Sequence, residues 1–220
     1  MKALRARLTG PRGDAGVTLV ELIVAMMILG IVLAVSSATF VSLANATSTA
    51  RAVDEGTRQT STGMNALAQG IRSARDVPVA SSPDAPAFRA ATGERLQLST
   101  AVNFADTRAK PVLVTYSLDS SRRLREDRLE AQTSGTFWVF PASGTSTSRV
   151  LTAPLAAAGV PVFTYLDVNG TELVPASGSL TTAQLQQVAF VEVTLAVASG
   201  GAGGSTVTLV NTIGTPNLVR

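Results

Sequence analysis

The chain has 220 residues, 45% of them hydrophobic and 15% charged, with a formal charge of +3. It holds no Cys and no His, which excludes disulfides, thiolate metal sites and every Ser-His or Cys-His nucleophile pair. The positive excess is not a nucleic-acid footprint: Lys2, Arg5, Arg7 and Arg12 face one acid, Asp14, in the first sixteen residues, and the rest is balanced.

Carboxylate chemistry needs neither Cys nor His, but no enzyme is expected. The basic leader reads instead as an orientation signal for the apolar segment after it. From Val17 the chain is apolar, and Leu22 to Ala50 carries no charge. A helix of that length spans ~44 Å, more than a ~30 Å hydrocarbon core. The Ser, Thr and Asn residues cluster after Val35, so the membrane-spanning part is expected at about residues 19–43. A secretory signal peptide fits poorly, because the apolar run exceeds the usual ~7–15 residues. A plain signal anchor explains everything except Glu21, a carboxylate whose burial in lipid costs roughly 3 kcal/mol or more.

The stretch that runs from the basic leader through Gly16 and Val17-Thr18-Leu19-Val20-Glu21 into a long apolar helix resembles the type IV prepilin and pseudopilin family. The resemblance implies that a prepilin peptidase removes residues 1–16 by cutting between Gly16 and Val17. It implies N-methylation of the new Val17 amine, and roles for Thr18 and Glu21 in assembly. Val17 replaces the family's more usual Phe or Met, and the leader is long. Physically, cleavage would create an ammonium for the carboxylate. Residues i and i+4 share a helix face, so the Val17 amine and Glu21 are expected to lie together. A carboxylate is also favoured near a helix amino end. In a filament the partner amine would belong to a neighbouring subunit, making Glu21 a register pin.

From Arg51 the chain turns polar but keeps a helical stripe of Val53, Thr60, Met64, Leu67, Ile71 and Ala74. Gly56, Gly63 and Gly70 recur every seven residues. They mark either a line of close approach or chance in a Gly- and Ala-rich segment. Asp76-Val77-Pro78 is expected to stop the helix, giving one helix over 17–77. Residues 80–93 read as a loop. Strands come next at "RLQLSTAV", "PVLVTYSL" and "TFWVFP", then a hairpin in "VFTYLDVNGTELV" with Asn169-Gly170 at its turn. "QVAFVEVTLAVA" and "TVTLVNTI" are expected to pair across the Gly-rich "SGGAGGS". The fold class is α+β and pilin-like: a long amino-terminal helix packed on a mainly antiparallel sheet domain at 78–220.

Further patches resemble the J-type minor pseudopilins and W-type minor pilins. They are "LAQGIRSARDV", the Tyr116, Leu118, Leu124 and Arg125 pattern, and Phe163 to Gly170. Ala38 stands where many major pilins carry a kinking proline, which also favours a minor component.

Other candidates have plainer readings. Asp167, Asn169 and Glu172 give a fragment of a calcium loop, outweighed by a hairpin turn. "SGGAGGS" lacks the Lys-Ser/Thr of a phosphate loop. Residues 122–130, "RRLREDRLE", read as a solvated strand or turn edge, with a polar contact to a neighbouring minor pilin as the alternative. Trp138, with Phe137 and Phe140, is expected in the core, with an exposed ligand platform as the alternative.

The expectation is a minor pilin or pseudopilin without cofactor, metal or nucleic-acid partner. It would start in the cytoplasmic membrane, leader inside and carboxy-terminal domain outside. Its partners would be the prepilin peptidase, other major and minor pilins and the assembly platform. The alternative is an anchored extracytoplasmic binding domain that never polymerises.

Overall fold

The computed structural model describes residues 16–78, 85–103, 110–141, 146–156, 161–175, 177–198 and 206–218. The leader's basic residues and the "SGGAGGS" segment lie outside these. The chain divides into two compact units, Met1–Ser48 and Thr49–Arg220, and helix α1 (Leu19–Arg72) runs through the boundary.

In the first unit every residue from Leu19 to Ser48 is exposed. The polar side chains in this apolar stretch are internally satisfied where they are threonines. The Thr39 hydroxyl donates to the Val35 carbonyl at 2.9 Å, and Thr47 to Leu43 at 2.8 Å. Such back-bonding removes a hydroxyl's cost in an apolar surrounding.

In the second unit α1 is amphipathic. Thr60, Met64, Leu67 and Ile71 are buried, as the spacing predicts. The helix stops at Arg72 rather than at Asp76-Val77-Pro78. Sheet pairing takes over before the proline is reached: Ala74 bridges Thr100, the Arg75 N–H donates to Ser99 at 2.9 Å, and Val77 bridges Ala85. The glycines do mark close approach. A Cβ on Gly63 would overlap the Leu151 carbonyl and one on Gly70 the Tyr116 hydroxyl, whereas one on Gly56 would meet Val197 at an ordinary 3.5 Å.

In chain order the strands are β1 (Phe88–Ala91), β2 (Arg95–Asn103), β3 (Lys110–Leu118), β4 (Leu124–Glu130), β5 (Gln132–Ser134), β6 (Phe137–Val139) and β7 (Ser146–Val150). Then come β8 (Phe163–Leu166), the short helix α2 (Thr182–Gln187), β9 (Phe190–Ala198) and β10 (Thr206–Gly214). One sheet runs β1-β2-β3-β4-β7, a second β10-β9-β8, and β5-β6 is a separate hairpin. All named pairs are antiparallel. The segment after β7 stitches the two main sheets together. Leu151 and Leu155 donate to Leu124 and Arg122, while Ala156 donates to Ala196 at 2.7 Å. Both sheets contribute to one core: Leu96, Leu98, Val114 and Tyr116 from the first, and Val191, Val193 and Leu195 from the second. The architecture is α+β and pilin-like, a long apolar helix with antiparallel sheets.

Several local expectations need correction. Residues 88–91, read as loop, form β1, and Phe88 and Ala91 are fully buried there. Ala, a weak strand signal, fills half of this strand, and an irregularity between Phe88 and Ala90 breaks the alternation that would announce it. Trp138, Phe137 and Phe140 are not core residues. Trp138 and Phe140 are half-buried and Phe137 is exposed, because β5-β6 joins neither main sheet. The strip 122–130 is not a solvated edge: β4 lies between β3 and β7, and Glu126 is 1% exposed. Polar β7 and the short helix α2 carry too little apolar periodicity to be read from the sequence.

Candidate functional site

The candidate site is the amino end of α1, where the junction Gly16-Val17 meets the first helical turn. Val17 lies outside the helix, whose first residue is Leu19. Thr18 caps it. The Glu21 N–H donates to the Thr18 hydroxyl at 3.2 Å, and the Leu22 N–H donates to the Thr18 carbonyl at 3.1 Å. Thr18 is therefore the N-cap and Glu21 the third helical residue, half of a capping box. The pattern Thr18-Leu19-Val20-Glu21 before an apolar run is the sequence signal for this geometry, and a helical-face spacing counted from Val17 passes over it.

That geometry changes one expectation. With Val17 ahead of the cap, an i,i+4 helix-face relation between Val17 and Glu21 is absent in the uncut chain. Glu21 instead sits in the first turn, where four backbone N–H groups lack helical partners and the helix dipole favours a carboxylate. Val17 stands one residue before the cap. The site thus gathers Gly16, Val17, Thr18 and Glu21 within six consecutive residues, followed by an apolar stretch of α1 exposed on every face as far as Ser48.

Residues 11–37 match the family model described as the prokaryotic N-terminal methylation motif. The amino terminus is a type IV prepilin-like methylation motif. No curated protein matches the chain. The matched segment spans the junction and α1 as far as Ser37. α1 is long and apolar enough to cross a membrane, which suggests anchoring as in pilins. The motif implies processing by a prepilin peptidase and assembly of the pilin kind.

The other candidates resolve into structural roles. At the β8 turn, Asp167 Oδ1 accepts from the N–H groups of Asn169 and Thr171, both at 2.8 Å, and Gly170 adopts φ +78°. These backbone donors hold the Asp167 carboxyl below its ordinary range, the Thr171 N–H first among them. The second arm of the expected hairpin is brief: Leu166 bridges Glu172, and the Leu173 N–H donates to Tyr165 at 2.8 Å. Glu172 is exposed and points to no shared ligand set; among the described residues no group of three acids gathers.

Asp119 plays the same part in the β3–β4 turn. It accepts from Ser121 and Arg123, and the Arg123 backbone N–H is the main cause of its lowered pKa. Arg89 lies over the Phe140 ring at 4.9 Å, and burial lowers its pKa. The mixed charges of β4 form a structural ion cluster: Glu126 takes Arg128 on one oxygen and Arg149 on the other, the latter at 2.5 Å.

Proposed function

We propose that this chain is a minor pilin or pseudopilin, a structural subunit and not an enzyme. In this reading prepilin peptidase cuts between Gly16 and Val17, the Val17 amine is methylated, and the subunit leaves the cytoplasmic membrane to join a filament. The filament belongs to a type IV pilus, a type II secretion system or a competence-like machine. The mature subunit sits near the tip and helps start assembly with other minor subunits at the assembly platform.

The observation that carries this reading is the capped helix start within the methylation motif: Thr18 fixes Glu21 in the first turn, directly after the junction. Before cleavage the Val17 nitrogen is a neutral amide. Cleavage turns it into a cation next to a carboxylate, and an ion pair costs far less in an apolar bundle than a lone charge. Processing thereby licenses packing. Once subunits pack, Glu21 selects the register in which an amine of a neighbour stands opposite.

The minor, J- or W-like assignment draws support from two places. Tyr116, Leu118, Leu124 and Arg125 form a β3–β4 hairpin in which Leu118 faces Leu124. α1 also runs unbroken through Ala38, without the proline kink of many major pilins.

Two measurements test the proposal. The amino-terminal peptide of protein from its own cells should begin with N-methyl-Val17; an encoded Met1 start refutes it. Glu21→Ala should abolish incorporation into filaments while membrane insertion persists. Normal incorporation would leave a simple anchored domain.

A further inference from the structure

We propose that Asn169 is an acceptor for N-linked glycosylation, modified by a polyprenyl-diphosphate-linked sugar on the outer side of the membrane. The inference rests on the reading that the β-rich unit lies outside the cytoplasm. The acceptor pattern Asn-x-Ser/Thr, with x not proline, occurs twice in the sequence: Asn45-Ala46-Thr47 and Asn169-Gly170-Thr171. The fold separates the two.

Asn45 lies inside α1, and the Thr47 hydroxyl donates to the Leu43 carbonyl at 2.8 Å. A transferase that must seat an extended acceptor would have to unwind about a turn of α1 on each side, breaking several backbone hydrogen bonds. Asn169 needs no such opening. It sits with Gly170 and Thr171 on an exposed turn, and Val168 beside it is 63% exposed. A Cβ placed on Gly170 would meet nothing within 4 Å, so the space around the acceptor is open. The turn is held by backbone groups: Asp167 accepts the N–H of Asn169 and of Thr171, and the Gly170 N–H donates to the Asp167 carbonyl at 3.0 Å. The Asn169 side-chain amide has only a 3.5 Å contact to Asp167 Oδ2, at the outer limit of a hydrogen bond, so it leaves at little cost.

In the transfer the Asn169 amide nitrogen forms a bond to the anomeric carbon of the sugar. The anomeric C–O bond breaks, the lipid diphosphate leaves with the electron pair, and one amide proton passes to a carboxylate of the transferase. No oxidation or reduction occurs. A sugar on this turn would add a bulky, hydrated group to one face of the mature domain.

The test is mass spectrometry of the full chain purified from membranes of its own cells. The peptide containing Asn169 should carry the mass of one or more sugar units, and the peptide containing Asn45 none. Asn169→Gln and Thr171→Ala should lose the increment, and Thr171→Ser should keep it. Thr171→Ala retains the backbone bonds that build the turn but loses the Thr171 hydroxyl's bond to Asp167, so an unchanged melting temperature is the control that makes its loss of the sugar read recognition and not folding. An unmodified Asn169 in the wild-type protein overturns the proposal, as does equal modification of Asn45. The amino-terminal peptide in the same sample reports processing separately. A methylated Val17 start with bare Asn169 sinks the glycosylation inference alone, whereas an unprocessed Met1 start strikes at the pilin reading itself.

Discussion

The Tyr116 hydroxyl occupies the space that a side chain on Gly70 would need. It is fully buried and has no hydrogen-bond partner among the described residues, and burial is the main reason its acidity is pushed far down. One atom thus has two effects. Gly70→Ala forces the ring or the helix to move, at ~1–3 kcal/mol for overpacking. Tyr116→Phe removes an unpaired buried polar group and is expected to be neutral or stabilising by up to ~1 kcal/mol. The double variant should recover most of the loss caused by Gly70→Ala. Thermal unfolding of the chain in detergent checks this; simple additivity of the two changes would show that the hydroxyl is not what Gly70 accommodates. Tyr165 is the contrast, because its hydroxyl donates to the Thr92 carbonyl at 2.8 Å. Tyr165→Phe should therefore destabilise, by about 1 kcal/mol.

Glu126 is the one fully buried acid among the described residues, shared by two arginines that remain partly exposed. The arrangement is asymmetric. Removing the carboxylate leaves a gap in the core and two unpaired cations that water partly screens, since Arg128 and Arg149 are 39% and 55% exposed, a loss of ~2 kcal/mol. Removing Arg149, whose side chain is 55% exposed, leaves Glu126 still paired with Arg128. Glu126→Ala should therefore destabilise several-fold more than Arg149→Ala, in energy, when both are melted under the same conditions. Equal losses would show that the cluster acts as a single network with no central member.

These two sites show what the sequence could and could not convey. The glycine repeat at Gly56, Gly63 and Gly70 was visible, and so were the stripe from Thr60 to Ile71 and the alternation of β2, β3, β9 and β10. The stripe and the alternations are local periods and formed as expected, whereas the glycine repeat, open between close approach and chance, marks close approach at Gly63 and Gly70 but not at Gly56. The fate of Arg122 to Glu130 was not visible, because a run of mixed charges reads as solvated until β7 brings Arg149 beside Glu126. That pairing joins residues 23 apart in sequence. The aromatic run at Phe137 erred in the opposite sense: its composition says core, but topology leaves β5-β6 outside both main sheets. At the amino end the motif residues were legible, and only the exact helix start was misjudged, since the Thr18 cap delays it until two residues past the junction.

The β8 turn should be sensitive to acid. Backbone donors lower the Asp167 pKa in the folded chain, so the unfolded or opened turn binds the proton more tightly. The turn's stability from this source is present above the ordinary carboxylate range, near pH ~4, and is lost as pH falls through the lowered folded value. Amide exchange at Asn169 and Thr171, corrected for intrinsic rates, should therefore accelerate as the solution is taken from pH ~5 to pH ~3. Asp167→Ala should show the fast exchange at both values. Protection unchanged across that interval would mean that the turn is held by Gly170 and the β8 bridge alone.

The last expectation concerns Thr18, whose hydroxyl accepts the Glu21 N–H at the start of α1. An N-cap threonine replaced by alanine costs ~1 kcal/mol, which corresponds to a roughly five-fold change in a local opening equilibrium. Thr18→Ala should raise amide exchange at Glu21 and Leu22 by about that factor in micelles, with residues past the second turn unaffected. Thr18→Ser retains the acceptor oxygen and should behave as wild type, while Thr18→Val keeps the shape, lacks the oxygen and should behave like alanine. If valine protects as well as threonine, side-chain packing and not the cap fixes where the helix begins. Glu21 would then owe its place in the first turn to the apolar run beyond it.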